Sequence, residues 1–249
     1  MSEIPLEGGF VTRVVRVGDT VRRVPAERSG FVHELLEHLR ERSWPGAPRF
    51  LGLDEQGREV LSFLPGHVAW RPEDAIAVRT LDALRGVARL VRELHDLTAG
   101  TPLAGASEVV CHNDLSPKNT VYRDSGAGPL PVAFVDWDLA GPGERVHDLA
   151  HVCWQYLDLG PGWTDAVAAG ETLREIADAY GPGAYEYPAD LVDTVLWWQE
   201  RCRRGIEEAA RRGHPAMIHL RETGVVREIE EVHAWTLQHR EALLRGLRR

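Results

Sequence analysis

The chain has 249 residues, 43% hydrophobic and 27% charged, a composition that excludes collagen-like, coiled-coil and disordered proteins. Its formal net charge of −9 argues against a nucleic-acid partner and is compatible with a cationic small ligand. Three cysteines without a C-x-x-C pair, no signal-peptide pattern and no apolar run of 18 residues indicate a cytoplasmic protein without zinc, disulfides or a membrane partner.

The first quarter of the chain is rich in β-branched residues and turn signals. It predicts two β-hairpins, one over residues 10–24 and one over residues 49–63. Between them an apolar stripe at helical spacing predicts one helix. That stripe consists of Phe31, Leu35, Leu36 and Leu39.

The period of the apolar residues changes from Pro72 onward. Leu81 to Leu94 repeat at 3.6-residue spacing, and most later segments are also helical. Short strands that present polar loops are expected between residues 109 and 135. Four further helices are predicted over residues 146–157, 164–180, 189–212 and 225–247. The chain is therefore expected to be α+β, with a small antiparallel N-terminal lobe over residues 1–64 and a larger, mainly helical lobe over residues 65–249.

Two polar motifs carry most of the chemical information. Residues 112–119 read H-N-D-L-S-P-K-N, and residues 135–138 read V-D-W-D. Together they supply the carboxylates and the amide that phosphoryl transfer needs to orient a hydroxyl, accept its proton and hold Mg²⁺. A polar turn between strands is the alternative for either motif alone. The two motifs in this order, with 22 residues from Asp114 to Asp136, favour the catalytic interpretation.

Three longer runs extend these motifs: C-H-N-D-L-S-P-K-N, F-V-D-W-D-L-A-G-P-G-E-R-V-H-D-L-A and E-G-G-F-V-T-R-V-V-R-V-G-D-T-V-R-R-V. On them, most of the chain resembles the aminoglycoside phosphotransferase and choline kinase-like small-molecule kinases. The run G-A-P-R-F-L-G-L-D-E-Q-G-R-E-V-L-S-F also resembles bacterial members labelled trifolitoxin immunity proteins. The resemblance implies a two-lobed kinase-like fold and Mg²⁺-dependent transfer of the γ-phosphoryl group of ATP or GTP to a small, aminoglycoside- or choline-like hydroxyl compound.

By position, the resemblance implies roles for residues of both motifs. Asp114 would be the catalytic base, and Asn119 and Asp136 would be the Mg²⁺ ligands. His112 would brace the loop. Lys118, the single lysine of the chain, is placed to neutralise charge on the transferred phosphoryl group, with a solvated loop lysine as the alternative.

Kinases place a lysine on the third strand to bind the α- and β-phosphates, and this strand offers only arginines. Strand alternation puts Val21 and Arg23 on one face, with Val21 over the adenine and Arg23 at the phosphates. Arg22 is the alternative cation, and a pair of solvent-facing arginines is the other possibility. Glu34 on the following helix is expected to orient the cation, with Glu37 as the second choice.

Two backbone segments complete the predicted nucleotide site. Gly8 and Gly9 would let N–H groups approach the phosphates, although an ordinary turn explains them equally well. Ser62, Phe63 and Leu64 fall where the two lobes join, and related proteins hold adenine there with backbone groups.

Other candidates remain open between structural and functional roles. Asp138 is interpreted as a solvent-facing carboxylate or a second metal contact. Asp148 would either hold the catalytic loop or stabilise a helix N-terminus. Trp197 and Trp198, with Glu200, lie where related proteins build the acceptor pocket, and at least one tryptophan is expected in the core.

Three other functions are alternatives to the kinase hypothesis. A nucleotide-binding or immunity protein without turnover is suggested by the missing strand lysine. A protein kinase would need an activation segment, and only 12 residues separate Asp136 from Asp148. A metal-dependent hydrolase would need a second ligand cluster that the sequence does not show.

Overall fold

The computed structural model of the chain describes residues 3–6, 14–126 and 128–249. Packing divides the chain into two compact units, Met1–Glu144 and Arg145–Arg249. The predicted lobe boundary at residues 64 and 65 lies inside the first unit, and a functional division at that point stays a prediction.

The first unit begins with a five-stranded antiparallel sheet in the order β1-β2-β3-β5-β4. Helix α1, Ser29–Glu41, follows β3 and buries Val32, Leu35, Leu36 and Leu39. Both predicted hairpins and the helix between them are confirmed over the described residues. The strands are β1 Ile4–Pro5, β2 Val15–Val17, β3 Thr20–Arg23, β4 Phe50–Leu53 and β5 Glu59–Ser62.

Two helices follow the sheet. Strand β6, His67–Val68, leads into α2, Pro72–Ala77, and then into α3, Leu81–Thr98. The Thr80 side chain caps α3 by accepting a hydrogen bond from the Ala83 N–H. Leu81, the first residue of the predicted apolar stripe of α3, lies in the first turn and is 46% exposed. The later residues of the stripe are buried.

Short strands then present the polar loops, as predicted. Strand β8 pairs with β6 and β9, while β7 pairs with β10. Helix α3 packs on β7 and β9 and so supports the strands from which both polar motifs emerge. These strands are β7 Val109–Cys111, β8 Thr120–Asp124, β9 Pro129–Phe134 and β10 Gly141–Gly143.

The second unit is described entirely by helices and their connections. The segment predicted as one helix over residues 225–247 is two helices that meet at His239, and the short α7 was not predicted. Within the described residues, no helix is both long and apolar enough to cross a membrane. The helices are α4 Arg145–Gln155, α5 Ala166–Tyr180, α6 Pro188–Arg211, α7 Pro215–Glu222, α8 Val225–Gln238 and α9 Arg240–Leu247.

Helices α5 and α9 approach each other through glycine. A Cβ atom at Gly170 would overlap the backbone of Leu243 and Gly246, and one at Gly246 would overlap the backbone of Val167 and Glu171. Backbone atoms cannot rotate away as side chains do. Glycine at both positions is therefore a requirement of this helix pair.

Candidate active site

The loop after β7 and the loop after β9 form the candidate site, and both contain a residue in the left-handed backbone region. Asn113 has φ 64° and Asp136 has φ 63°. Non-glycine residues rarely adopt this conformation, and it persists where the surroundings enforce it. The Asn113 amide donates a hydrogen bond to the Leu139 carbonyl at 3.1 Å, which ties the first loop to the second.

His112 also links the loop after β7 to the loop after β9. Its Nδ1 accepts a hydrogen bond from the Asp114 N–H at 3.3 Å, so its Nε2 carries the proton and donates to the Val135 carbonyl at 3.1 Å. The ring is buried and lies 4.6 Å from the Trp137 ring. His112 therefore braces the loop, as predicted, as a neutral imidazole.

Asp114 is held by the amide of Asn119. The Asn119 Nδ2 donates to Asp114 Oδ2 and to the Asp114 carbonyl, both at 2.8 Å. Burial raises the pKa of Asp114 to about 6, and the negative charge of Asp136 also raises it, while the charge of Lys118 and the Asn119 hydrogen bond act in the opposite direction. The structure thus presents one fixed carboxylate whose pKa is shifted toward neutrality, which suits proton acceptance from a hydroxyl.

Asn119 and Asp136 are brought together by the backbone. The Val135 N–H donates to the Asn119 carbonyl at 2.9 Å, and Asp136 is the next residue. Because Asn119 uses its nitrogen on Asp114, its side-chain oxygen is the group left for a ligand. Partial burial and the charge of Asp138 raise the pKa of Asp136, while Arg23 and Lys118 lower it. An amide oxygen and a carboxylate are hard donors that fit Mg²⁺.

Arg23 reaches this site from β3. Its Nε donates to Glu59 Oε2 at 2.6 Å, one terminal nitrogen donates to Asp138, and the other lies 3.6 Å from Asp136 Oδ1. Burial alone would lower the pKa of Arg23, but Asp138 and Glu59 raise it above its ordinary value. Arg22 lies on the opposite face and pairs with Asp54, so Arg23 is the arginine that reaches the candidate site, and its contact with nucleotide phosphates stays a prediction.

The expected carboxylate partner of Arg23 needs a correction. Glu34 is exposed, and Glu37 pairs with Arg40 along its own helix. The pairing carboxylate is Glu59 on β5, which lies directly opposite Arg23 in the sheet register. A role for Glu34 at the nucleotide stays a prediction. The register of the two predicted hairpins was the signal that would have found Glu59.

Asp138 also differs from the main expectation. Its carboxylate accepts a hydrogen bond from Arg23 and is 32% exposed, so it is not simply solvent-facing. Val21, on the same face of β3 as Arg23, is half-buried and pairs with Leu61. A contact between Val21 and adenine stays a prediction.

The segment expected to hold adenine uses part of its polar groups within the sheet. Ser62 Oγ accepts a hydrogen bond from the Arg49 N–H at 2.8 Å, and the Phe63 N–H donates to the Asp19 carbonyl at 2.9 Å. The Phe63 N–H is therefore not available to a base without rearrangement, whereas the Ser62 hydroxyl can still donate. Leu64 is half-buried, and its backbone role stays a prediction.

The remaining predicted residues are Gly8 and Gly9 of the nucleotide site and the predicted catalytic residue Lys118. Gly8 and Gly9 lie outside the described residues. Lys118 is exposed on the 3₁₀ turn Pro117–Asn119, and its charge lowers the pKa of both Asp114 and Asp136. Lys118 therefore supplies positive charge at the two carboxylates.

The tryptophans of the second unit have different roles. Trp198 is 5% exposed and donates its indole N–H to the His147 carbonyl at 2.7 Å, which confirms that one tryptophan is core. Trp197 is 44% exposed, stacks on the His147 ring, and has the Arg201 guanidinium 5.2 Å from its ring centre. Glu200 pairs with neighbouring arginines of its own helix. A contact between these residues and an acceptor stays a prediction.

Asp148 lies in the first turn of α4 and is fully buried. This position is compatible with both predicted roles, because a first-turn carboxylate favours the helix N-terminus and a buried one must be hydrogen-bonded. Both roles of Asp148, holding the catalytic loop and stabilising the helix N-terminus, stay predictions.

Comparisons with known proteins agree with this geometry. The profile of the "Phosphotransferase enzyme family" matches residues 90–216, which contain both polar motifs. A curated relative, the trifolitoxin immunity protein of Rhizobium leguminosarum bv. trifolii, is 34% identical over 206 residues, covering 72% of this chain and 74% of the relative.

Solved structures show the fold. A choline/ethanolamine kinase family protein from Mesorhizobium loti aligns with a TM-score of 0.62 at 16% identity, over 99% of this chain and 93% of that chain. The GDP complex of aminoglycoside 2'-phosphotransferase-IIIa aligns with a TM-score of 0.62 at 14% identity, over 94% and 93%. The fold is therefore the expected α+β, two-lobed, kinase-like fold.

Proposed function

The chain belongs to the phosphotransferase enzyme family, and we propose that it transfers the γ-phosphoryl group of ATP or GTP to a hydroxyl of a small molecule. The observation that carries this proposal is the arrangement of Asp114, Asn119 and Asp136. The Asp114 carboxylate is fixed by the Asn119 amide nitrogen, and a backbone hydrogen bond from Val135 to Asn119 aligns Asn119 with the residue that precedes the second carboxylate, Asp136. Phosphoryl transfer needs this combination of a base and hard metal ligands.

The chain's own residues would act in a defined order. Asp114 accepts a hydrogen bond from the acceptor hydroxyl and takes its proton as the hydroxyl oxygen attacks phosphorus. Asn119 and Asp136 would hold Mg²⁺, and the chemistry that Mg²⁺ supplies is neutralisation of the β- and γ-phosphate oxygens. Arg23 and Lys118 add positive charge beside the transferred group, where negative charge is redistributed.

We propose a cationic acceptor of the aminoglycoside or amino-alcohol class. The formal net charge of −9 favours cations over anions near the protein. The names of the two structural neighbours concern choline or ethanolamine and an aminoglycoside, and this chain shares their fold. The acceptor itself is left to the assay below.

A second function is favoured by the curated relative. That protein is named an immunity protein, and Arg23 replaces the lysine that kinases use on the third strand. A nucleotide-binding immunity protein without turnover would keep the site and lack transfer. The two functions differ in one measurable quantity, the release of nucleoside diphosphate in the presence of an acceptor.

The first experiment is a thermal-shift titration with ATP and GTP, with and without Mg²⁺. A nucleotide at a hundredfold excess over its Kd should stabilise the wild type by about 2.7 kcal/mol. Asp136→Ala should remove the Mg²⁺-dependent part, and Asp124→Ala, which removes an exposed carboxylate at the end of β8, is the matched control. Loss of stabilisation in both variants, or in neither, would contradict the proposed metal site.

The second experiment measures transfer. Wild type is incubated with Mg²⁺, the nucleotide that stabilises it, and a panel of aminoglycosides and amino alcohols, and the phosphorylated product is identified by mass spectrometry. Product formed by wild type and reduced in Asp114→Asn supports the kinase. Tight nucleotide binding without product across the panel would favour the non-catalytic immunity protein.

A further inference from the structure

Glu59 is a buried carboxylate with two nitrogen partners on different elements. Its side chain is 1% exposed, with Oε2 2.6 Å from Arg23 Nε and Oε1 2.7 Å from His33 Nε2. Strand β5 places it opposite Arg23, and α1 carries His33. A carboxylate this deeply buried needs polar partners, and Arg23 and His33 supply them.

The pairing differs from that of protein kinases, where a glutamate of the helix holds the strand lysine. Here the carboxylate comes from the neighbouring strand, and the helix contributes an imidazole instead. The His33 ring is itself fixed, since it stacks on Phe50 with ring centres 3.7 Å apart and an interplanar angle of 11°. A cross-strand pair is held by the sheet register, so its position does not depend on movement of the helix.

Different nitrogens of the Arg23 guanidinium contact different carboxylates. Glu59 engages only the Nε edge of Arg23, and the two terminal nitrogens face Asp136 and Asp138. Those two carboxylates are the groups that a bound divalent cation would neutralise. A cation held by these carboxylates would take the place of the Arg23 terminal nitrogens, which could then bind phosphate oxygens while Nε kept its contact to Glu59.

We propose that Glu59 is a positioning residue for nucleotide binding: it anchors Arg23 by its Nε edge, so that the terminal guanidinium nitrogens can pass from Asp136 and Asp138 to the nucleotide phosphates. This inference rests on the proposed function, because it requires that the chain bind a Mg²⁺-nucleotide. His33 supports Glu59 from α1.

The test is a double-mutant cycle on nucleotide affinity. Calorimetry with Mg²⁺-ATP and Mg²⁺-GTP is carried out on wild type, Glu59→Gln, Arg23→Met and the double variant. Glu59→Gln should weaken binding about 10- to 100-fold, the range typical of residues that orient a ligand-binding side chain. In the Arg23→Met background the same substitution should have no further effect, because Glu59 acts through Arg23.

Asp54→Asn is the matched control. Asp54 pairs with Arg22 and Arg58 on the other side of the same sheet, and its loss should change nucleotide affinity less than threefold. Circular dichroism checks folding of each variant. If Glu59→Gln does not fold, Glu59→Asp keeps the charge, shortens the reach to Arg23, and should weaken binding in the same direction.

A second readout does not use the nucleotide. The Arg23 Nε–H, bonded to a carboxylate that is 1% exposed, should exchange slowly with solvent in a ¹⁵N NMR spectrum and become fast in Glu59→Gln. Wild-type affinity in Glu59→Gln, or equal weakening in both backgrounds, would overturn the positioning role and leave the kinase proposal intact. A wild type that binds neither nucleotide would overturn both.

Discussion

Replacing Asp114 by Asn tests the base and the electrostatics of the site at once. Asn has the same size, and its Oδ1 can still accept the hydrogen bond that Asn119 Nδ2 donates at 2.8 Å. The loop geometry should therefore survive. What changes is the ability to take a proton and the cost of keeping a buried charge.

The expected kinetic effect follows from proton transfer. A positioned general base contributes about 10²–10⁴ in rate, so Asp114→Asn should raise the barrier by about 2.7–5.5 kcal/mol. Nucleotide affinity should stay within a few-fold of wild type, because Asn119 and Asp136 remain in place.

The expected stability effect has the opposite sign. The pKa of Asp114 is raised from 3.8 in the unfolded chain to about 6 in the folded protein. The folded state therefore binds more protons between these values, and wild-type stability falls as the pH rises through this window. At about 1.4 kcal/mol per pKa unit, this raised pKa of Asp114 costs the folded state about 3 kcal/mol above pH 6.

Asp114→Asn removes the cost of burying an ionised carboxylate. The Asn side chain must still be desolvated, and Lys118 loses a nearby negative charge. We expect Asp114→Asn to recover about half of the roughly 3 kcal/mol, so that its free energy of unfolding exceeds that of wild type by about 1.5 kcal/mol. This corresponds to a rise of roughly 3–6 °C in Tm. The rise should be present at pH 8 without metal and absent at pH 4.

The assay is thermal unfolding of both proteins from pH 4 to pH 8, alongside phosphoryl transfer at pH 8. A Tm difference that does not depend on pH would refute the burial of an ionised Asp114. Full turnover by the variant would remove Asp114 from the role of base.

Four further substitutions address the surroundings of the site and the helical unit. Arg23→Met removes the cation beside the metal-binding carboxylates, so Mn²⁺ alone should bind about 3- to 10-fold more tightly in calorimetry while Mg²⁺-ATP binds less tightly; unchanged Mn²⁺ affinity would contradict this. Lys118→Ala removes a charge that lowers the pKa of Asp114, so the acid limb of the kcat/KM profile should move to higher pH, whereas a shift to lower pH would show that the sign is wrong. Gly170→Ala should destabilise the protein by about 1–3 kcal/mol in urea unfolding, because a Cβ there meets backbone. Gly205→Ala in open space should stabilise α6 by about 0.5–1 kcal/mol.

Local pattern was enough to predict the two hairpins, helices α1 and α3, the strands β7 to β9 and the two polar motifs. The short elements β1, β6, α2 and β10 were not predicted. Period-2 alternation identified Arg23 over Arg22, because successive side chains of a strand point to opposite faces. The partner of Arg23 was missed for a physical reason. Glu59 is 36 residues away, and only the register of two separate hairpins brings it opposite Arg23.

The helical unit shows a different limit. Residues 225–247 keep an apolar pattern without proline, and their single glycine, Gly246, lies well beyond His239, so nothing local predicts the break at His239. Helix α7 begins with Pro215 after Gly213, a start signal that was present and not used. The close contact at Gly170 is a tertiary property that helix propensity alone would have counted as a weakness.

The position of Lys118 has a practical consequence for anyone handling the protein. It is the only lysine among 249 residues, and it is exposed beside the two carboxylates of the site. Amine-reactive dyes, cross-linkers and biosensor surfaces therefore have Lys118 as their one lysine side-chain target in this sequence. Immobilisation through a tag would not modify Lys118, whereas routine amine coupling would.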